Sequence, residues 1–199
     1  MEVRDNKVIM DPVKGKKYFY SYPQLVVVIG VRDGDKLNFM PCVWNTGLSY
    51  DPFLYGVSVG TERFTRKMLS NVNEYTINFL RFEDVELVRS LGRSSGGQLD
   101  KIKELNKSYK ESAKINAPLL ENAYYSLECT KYAEKLFGDH VLFVGEVVLM
   151  HINESLMKNY ILDTKKVSPI LYLGVDHYIK IDSDSLQSLK DLPFHYEKK

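Results

Sequence analysis

The apolar residues of this chain fall mostly in short alternating or continuous runs, the spacing of strands rather than of long amphipathic helices. Gln24–Val31 (QLVVVIGV) is dense in β-branched residues and predicts a strand buried on both faces. Arg32-Asp33-Gly34-Asp35 carries the Asp-Gly signal of a hairpin turn. Leu37–Trp44 resumes an extended pattern, with Pro41 inside it, where ladder pairing is expected to fail. Asn45–Pro52 reads as a loop and Phe53–Gly60 as a strand. Thr65 is placed as the N-cap of a short helix, Arg66–Asn71. Glu74–Leu80 alternates as a strand does. Glu83–Leu91 reads as a helix whose early acids suit its N-terminus and whose stop is Gly92. Arg93–Gln98 is a flexible loop, and Leu99–Lys114 is helical or irregular. Ala123–Phe137 and Val141–Ile152 are long strands around a Gly138-Asp139-His140 turn, and Ile170–Val175 and His177–Ile181 form a short final pair. Residues 1–22 form a polar lead-in whose aromatic end, Tyr18-Phe19-Tyr20 and Tyr22, is expected to pack on the core. Seven to nine strands that follow one another directly, with two to four short helices, favour an antiparallel barrel or sandwich over a parallel α/β sheet.

The chain is 199 residues long. At that length folding buries about 70% of the surface of the extended chain, enough for one core. A single domain over 1–199, with its core at about 22–181, is expected. Lys and Arg number 27 against 26 Asp and Glu, a net charge of +1. A general nucleic-acid or membrane-surface binder would show a basic bias, so neither partner is expected. The longest apolar stretch is Leu25–Val31, far short of the roughly 20 residues that span a bilayer. Met1–Lys17 is polar and does not read as a signal peptide, which points to the cytoplasm. Cys42 and Cys129 allow one disulfide or two free thiols; a cytoplasmic chain favours the thiols.

The chain lacks the Gly-rich phosphate loops of nucleotide-binding motifs, a Gly-x-Ser-x-Gly elbow, a Cys-x-x-Cys pair and a His-Glu-x-x-His motif. His140, His151, His177 and His195 have no metal-ligand spacing, so no metal is expected. Reactive chemistry here would therefore come from a bound cofactor.

One stretch is more informative. It runs Asn38-Phe39-Met40-Pro41-Cys42-Val43-Trp44, then Asp51-Pro52 before a strand, then Ser58-Val59-Gly60-x-x-Arg63-x-Thr65. Tyr75-Thr76-Ile77-Asn78-Phe79 follows, then Ser94-Ser95-Gly96 with Asp100-Lys101. Gly138-Asp139-His140 precedes Phe143-Val144-Gly145-Glu146-Val147, and Leu171-Tyr172-Leu173-Gly174 precedes Tyr178. In this order and spacing the chain resembles the flavin reductase-like family of FMN-binding split barrels, over roughly residues 22 to 181. The resemblance implies a mainly β, antiparallel split β-barrel with short outer helices and a homodimer. It also implies non-covalent FMN, with NADH or NADPH as hydride donor and free flavin, ferric iron or a protein as final acceptor. Two alternatives stay open: an electron carrier of flavoredoxin type without nicotinamide activity, and a non-enzymatic split barrel that has lost its flavin.

The resemblance and the residue chemistry agree on where FMN would sit. Arg63 can fork onto phosphate oxygens, and a helix beginning near Thr65 favours an anion. Ser95 and Lys101 follow as further phosphate contacts. The isoalloxazine would lie along Met40, Pro41, Cys42, Val43, Trp44, Asn45 and Thr46, against the strand end Ser58-Val59-Gly60. Where Pro41 or Cys42 stands the family often has Thr or Ser, so contacts there would run through the backbone. His140 would face the flavin and position a substrate rather than act as a base, because hydride transfer needs no protein nucleophile. Cys129 is assigned to the core, and His151, His177 and His195 to the surface.

Overall fold

The structure, a computed structural model, describes residues 21–97 and 101–188 and the backbone of two short paired strands, Glu2–Arg4 and Lys7–Ile9. Tyr18-Phe19-Tyr20, Leu99, Asp100 and His195 lie outside the described residues. The main sheet is built from β1 (Val27–Asp33), β2 (Lys36–Cys42), β3 (Asn45–Tyr50), β4 (Phe53–Gly60), β5 (Glu74–Phe79), β6 (Tyr125–Phe137) and β7 (His140–Ile152). All neighbours pair antiparallel, in the order β2-β1-β5-β6-β7-β4-β3. The two outermost strands, β2 and β3, are consecutive in sequence. The sheet therefore curls until its ends approach, and the Cys42 thiol at the end of β2 reaches the Ser58 carbonyl of β4 at 3.5 Å. This is a split β-barrel, as the resemblance implied; the strand pattern alone left barrel and sandwich open.

The apolar run at residues 26–31, which enters β1, shows why both its faces are hydrophobic. Val27, Ile29 and Val31 point into the barrel, where they meet Tyr75, Ile77, Leu127, Cys129 and Phe143. Val26 and Val28 point the other way, onto Phe39, Leu80, Val88, Leu91 and Ile170 beneath α2 (Val85–Arg93). Burying a side chain of this kind stabilises by about 1.5–3 kcal/mol, so a strand covered on both faces anchors both cores at once. Two polar residues of the Tyr75–Phe79 motif have structural work. Thr76 donates to the Pro118 carbonyl at 2.6 Å. Asn78 donates to Val28 O at 3.0 Å and accepts from the Leu120 amide and the Ser126 hydroxyl, both at 3.0 Å.

Several expectations are corrected. The β1–β2 ladder runs through Pro41, which pairs with Val28, instead of failing there. β2 lies at the sheet edge, and an edge strand tolerates a residue without an N–H. The expected loop Asn45–Pro52 is largely strand β3, because pairing with β4 through a register shift between Gly47 and Ser49 overrides its turn-like composition. The helix expected at Arg66 starts earlier, as α1 (Phe64–Asn71), with Arg63 at the cap. Thr65 is therefore inside the first turn and is not the N-cap. Gly92 does not end its helix: α2 continues to Arg93. Cys42 and Cys129 are buried free thiols, and burial pushes both up to about 12. No helix among the described residues is long and apolar enough to cross a membrane.

His151, assigned to the surface, has a specific partner. Its Nε2 lies 2.6 Å from Oε1 of Glu128, a fully buried carboxylate on β6. The same carboxylate accepts from the amides of Ala113 (2.7 Å) and Lys114 (2.8 Å). It thereby pins the segment that follows α3 (Lys101–Glu104) onto the barrel wall.

Candidate functional site

The free edge of β2 organises the site, since no strand among the described residues pairs with it. Side chains alternate along a strand, so Asn38 and Met40 leave β2 on one side while Phe39 and Pro41 leave on the other. On the first side lies a cavity of about 270 Å³, bordered by Asn38, Met40, Arg63, Thr65, Ser95 and Lys101. Those residues come from β2, the start of α1, the loop after α2 and the start of α3.

The turn that leads into α1 is closed by the Arg63 amide on Gly60 O at 3.0 Å, which leaves the exposed Arg63 side chain at the cavity mouth. Thr65 is buried in the first turn of α1, and its Oγ1 accepts from Asn38 Nδ2 at 2.7 Å. Asn38 is 2% exposed, and its Oδ1 has no hydrogen-bond partner among the described residues. An unpaired buried acceptor costs about 1–3 kcal/mol, which marks Asn38 as a group awaiting a donor in the cavity. Gly96 packs against it so closely that a Cβ there would lie 2.1 Å from Oδ1, so no side chain fits without displacing Asn38.

Lys101 is 5% exposed and donates to Phe39 O at 3.1 Å and Leu91 O at 2.7 Å. It ties β2 to the end of α2 while bordering the cavity. Burial, and then the nearby Arg63 charge, bring its ammonium down to about 8. Arg63 and Lys101 place two cations at the cavity, with Glu62 the one carboxylate among its described lining, an arrangement that favours an anion between them.

A second cavity, of about 280 Å³, lies on the α2 side of β2, bordered by Pro41, Val43, Arg63, Arg93, Tyr172 and Tyr178. Arg63 and Arg93 border both cavities. Farther along, the half-exposed Trp44 ring lies 4.4 Å from the His140 ring, tilted by 40°. Trp44 Nε1 donates to Tyr22 Oη at 3.0 Å, and Nδ1 of His140 lies 2.7 Å from Asp139 Oδ1. His140 pairs with Gly60 across the β4–β7 ladder.

The expected site residues thus fall into groups. Met40, Arg63, Thr65, Ser95 and Lys101 meet at the first cavity; Pro41 and Val43 border the second; Trp44, Gly60 and His140 form the aromatic end. The Cys42 and Val59 side chains are committed to the barrel core, and Cys42 donates weakly to Trp44 O (3.4 Å) and Ser58 O (3.5 Å). Asn45 donates to Leu25 O and Cys42 O and accepts from the Tyr55 hydroxyl at 2.6 Å, which fixes the chain where β2 crosses to β3. Thr46 is exposed and its hydroxyl donates to Gly47 O at 3.2 Å. Asn38 and Arg93 were not singled out from the sequence. Asn38 opens the motif that carries the resemblance, a signal that could have found it; Arg93 reads as an ordinary helix-end cation.

Residues 19–175 match the family model described as "Flavin reductase like domain". An uncharacterized protein of Pyrococcus abyssi is 34% identical over 138 residues, 69% of this chain and 79% of that protein. The crystal structure of an FMN-binding protein from Thermus thermophilus with bound 1-cyclohex-2-enone is 32% identical. It covers 94% of this chain and 100% of its own, with a TM-score of 0.77. The flavoredoxin of Methanosarcina acetivorans shares the fold at 22% identity and a TM-score of 0.80, over 93% of this chain and 96% of its own.

Proposed function

The chain belongs to the flavin reductase-like family, and from that membership and the β2 edge we propose that it is a flavoprotein oxidoreductase that binds FMN non-covalently. The observation that carries the reading is the first cavity. Arg63 and Lys101 supply charge there, Thr65 and Ser95 supply hydroxyls, and Asn38 Oδ1, without a partner among the described residues, would accept from a ligand hydroxyl. Such a set suits a phosphate on a hydroxylated chain. The ring would lie along the backbone of Cys42–Thr46, with Trp44 and His140 at its far end. A flavin bound there would supply the redox chemistry between NADH or NADPH and a final acceptor, whether free flavin, ferric iron or a protein. Arg63 and Lys101 would neutralise the phosphate, and His140, held by Asp139, would position the incoming donor.

Two absorbance experiments test this. Purified protein, or protein given FMN and desalted, is expected to show the two visible bands of oxidised flavin; a colourless protein that takes up no FMN ends the reading. Anaerobic NADH or NADPH is then expected to bleach the bound flavin faster than free FMN. No acceleration would leave an electron carrier in place of a reductase.

Lys101 makes the binding pH-sensitive where an ordinary lysine would not. Its charge is lost from the ligand-free protein as pH rises through about 8, while a bound phosphate favours the charged form. FMN affinity is therefore expected to fall above about pH 8, and a fluorescence titration should find that slope absent in Lys101→Met. Stability of the ligand-free fold moves oppositely. The depressed lysine leaves the unfolded chain with more protons between about 8 and 10.5, so stability rises with pH across that window.

A homodimer completes the proposal. Tyr160 and Ile161 stand exposed at a hairpin tip, and Met150 and Ile152 are half-exposed on β7. Together they form an apolar face suited to a second copy; a monomer in sedimentation velocity at micromolar concentration would refute it. The unpaired thiols fit a cytoplasmic location, which cell fractionation would test.

A further inference from the structure

We propose that the cavity under α2 is a second ligand site, for a planar molecule carrying a diphosphate, and that Asp176 is the internal carboxylate this ligand displaces. The cavity adjoins the Asn38–Lys101 cavity, with which it shares Arg63, Gly92 and Arg93, but Pro41 and Met40 point opposite ways, so β2 presents different side chains to each. Its walls suit a flat aromatic group: Pro41, Val43 and Val88 are apolar, and the Tyr172 and Tyr178 rings stand 5.1 Å apart at 54°. Its charges suit an anion. Arg63, Arg89 and Arg93 border it against one carboxylate, Asp176.

Asp176 sits where that anion would go. Its Oδ2 pairs with Arg93 and lies 3.5 Å from Arg89 Nε. The turn that carries it, between β8 (Leu171–Gly174) and β9 (His177–Ile179), is strained. Gly174, Val175 and Asp176 all have positive φ, at 110°, 50° and 59°. A β-branched valine rarely adopts that region, and such residues persist where surrounding contacts hold them. Here the holding contacts are the two arginines and the Tyr172 hydroxyl, which accepts from the Asp176 amide at 3.4 Å. The partners are all partly exposed, and ion pairs in that setting are weak, so a polyanion can take the arginines from Asp176. The turn then relaxes outward as the ligand enters.

The probe is ADP, titrated into flavin-free protein by calorimetry. Removing the competing charge in Asp176→Asn is expected to tighten ADP binding about fivefold, the effect of one exposed ion pair. Asp176→Glu keeps the charge and is expected to show no gain. The double change Asp176→Asn with Arg89→Ala should lose it. Repeating the titration with NAD+ separates the sources: equal tightening assigns the site to a nicotinamide dinucleotide, tightening of ADP alone to a free nucleoside diphosphate. A change below twofold for both probes, or a gain that survives Arg89→Ala, overturns the proposal. So does displacement of ADP by FMN, which would put ADP in the first cavity. Failure of the flavin reading shows separately, in the absorption spectrum.

Discussion

Arg63→Ala is expected to raise the FMN dissociation constant about 10- to 100-fold, the loss of one charge-assisted contact to phosphate, worth about 1.5–3 kcal/mol. Three features make Arg63 the most exposed point of the site to mutation. Its guanidinium stays charged at every working pH, unlike Lys101. It makes no ion pair among the described residues, so its charge is not already committed. The other arginine that borders both cavities, Arg93, is already paired with Asp176. Because its side chain is exposed, the ligand-free variant should melt within a degree or two of the parent. Lys67→Ala, equally exposed on α1, is the control and should leave affinity unchanged. Fluorescence quenching of FMN reads both. An Arg63→Ala protein that retains FMN at parental affinity removes Arg63 from the phosphate site.

Glu128→Ala is expected to destabilise the fold by about 3 kcal/mol, read as a lower urea midpoint at unchanged slope. The carboxylate is fully buried and accepts from two backbone amides and His151. Removing it leaves the Ala113 and Lys114 amides without an acceptor, and unmade buried hydrogen bonds are more costly than made ones are favourable. Burial alone would push the Glu128 carboxyl up. The His151 hydrogen bond and the two amides outweigh burial and hold it below its ordinary value. A depressed carboxyl stabilises above its unfolded-state value, and that contribution disappears as pH falls through the folded one. The parent should therefore lose stability on acidification more steeply than Glu128→Ala. His151→Ala, which removes only the partly exposed partner, should cost less. A Glu128→Ala unfolding free energy within about 1 kcal/mol of the parent would show that the 112–117 segment is held by other contacts.

Much of the fold was legible because local pattern and tertiary role coincide in its central strands. The continuous apolar run of β1 is a strand with a core on each side, and the alternation of Glu74–Phe79 matches a strand between two neighbours. At the edges pattern and role diverge. Asn45–Tyr50 has the composition of a loop yet forms β3, since exposed edge residues can be polar while their backbone pairs with β4. Thr65 has the chemistry of a cap, but a long-range partner, Asn38, claimed its hydroxyl and drew it inside the helix.

The same division runs through the candidate site. Sequence by itself determined the family, the split barrel and the residue types at the β2 edge, because strand periodicity and a spaced set of motifs are local properties of the chain. Only the tertiary structure decided which of those residues converge. It gathered Arg63, Thr65, Ser95 and Lys101 around one cavity and turned Cys42 and Val59 into the core. It left the Asn38 acceptor unpaired among the described residues and held Asp176 across two arginines from another part of the chain. Burial, hydrogen-bond partnership and the meeting of charges distant in sequence depend on how the strands close on one another, and no spacing along the chain encodes them.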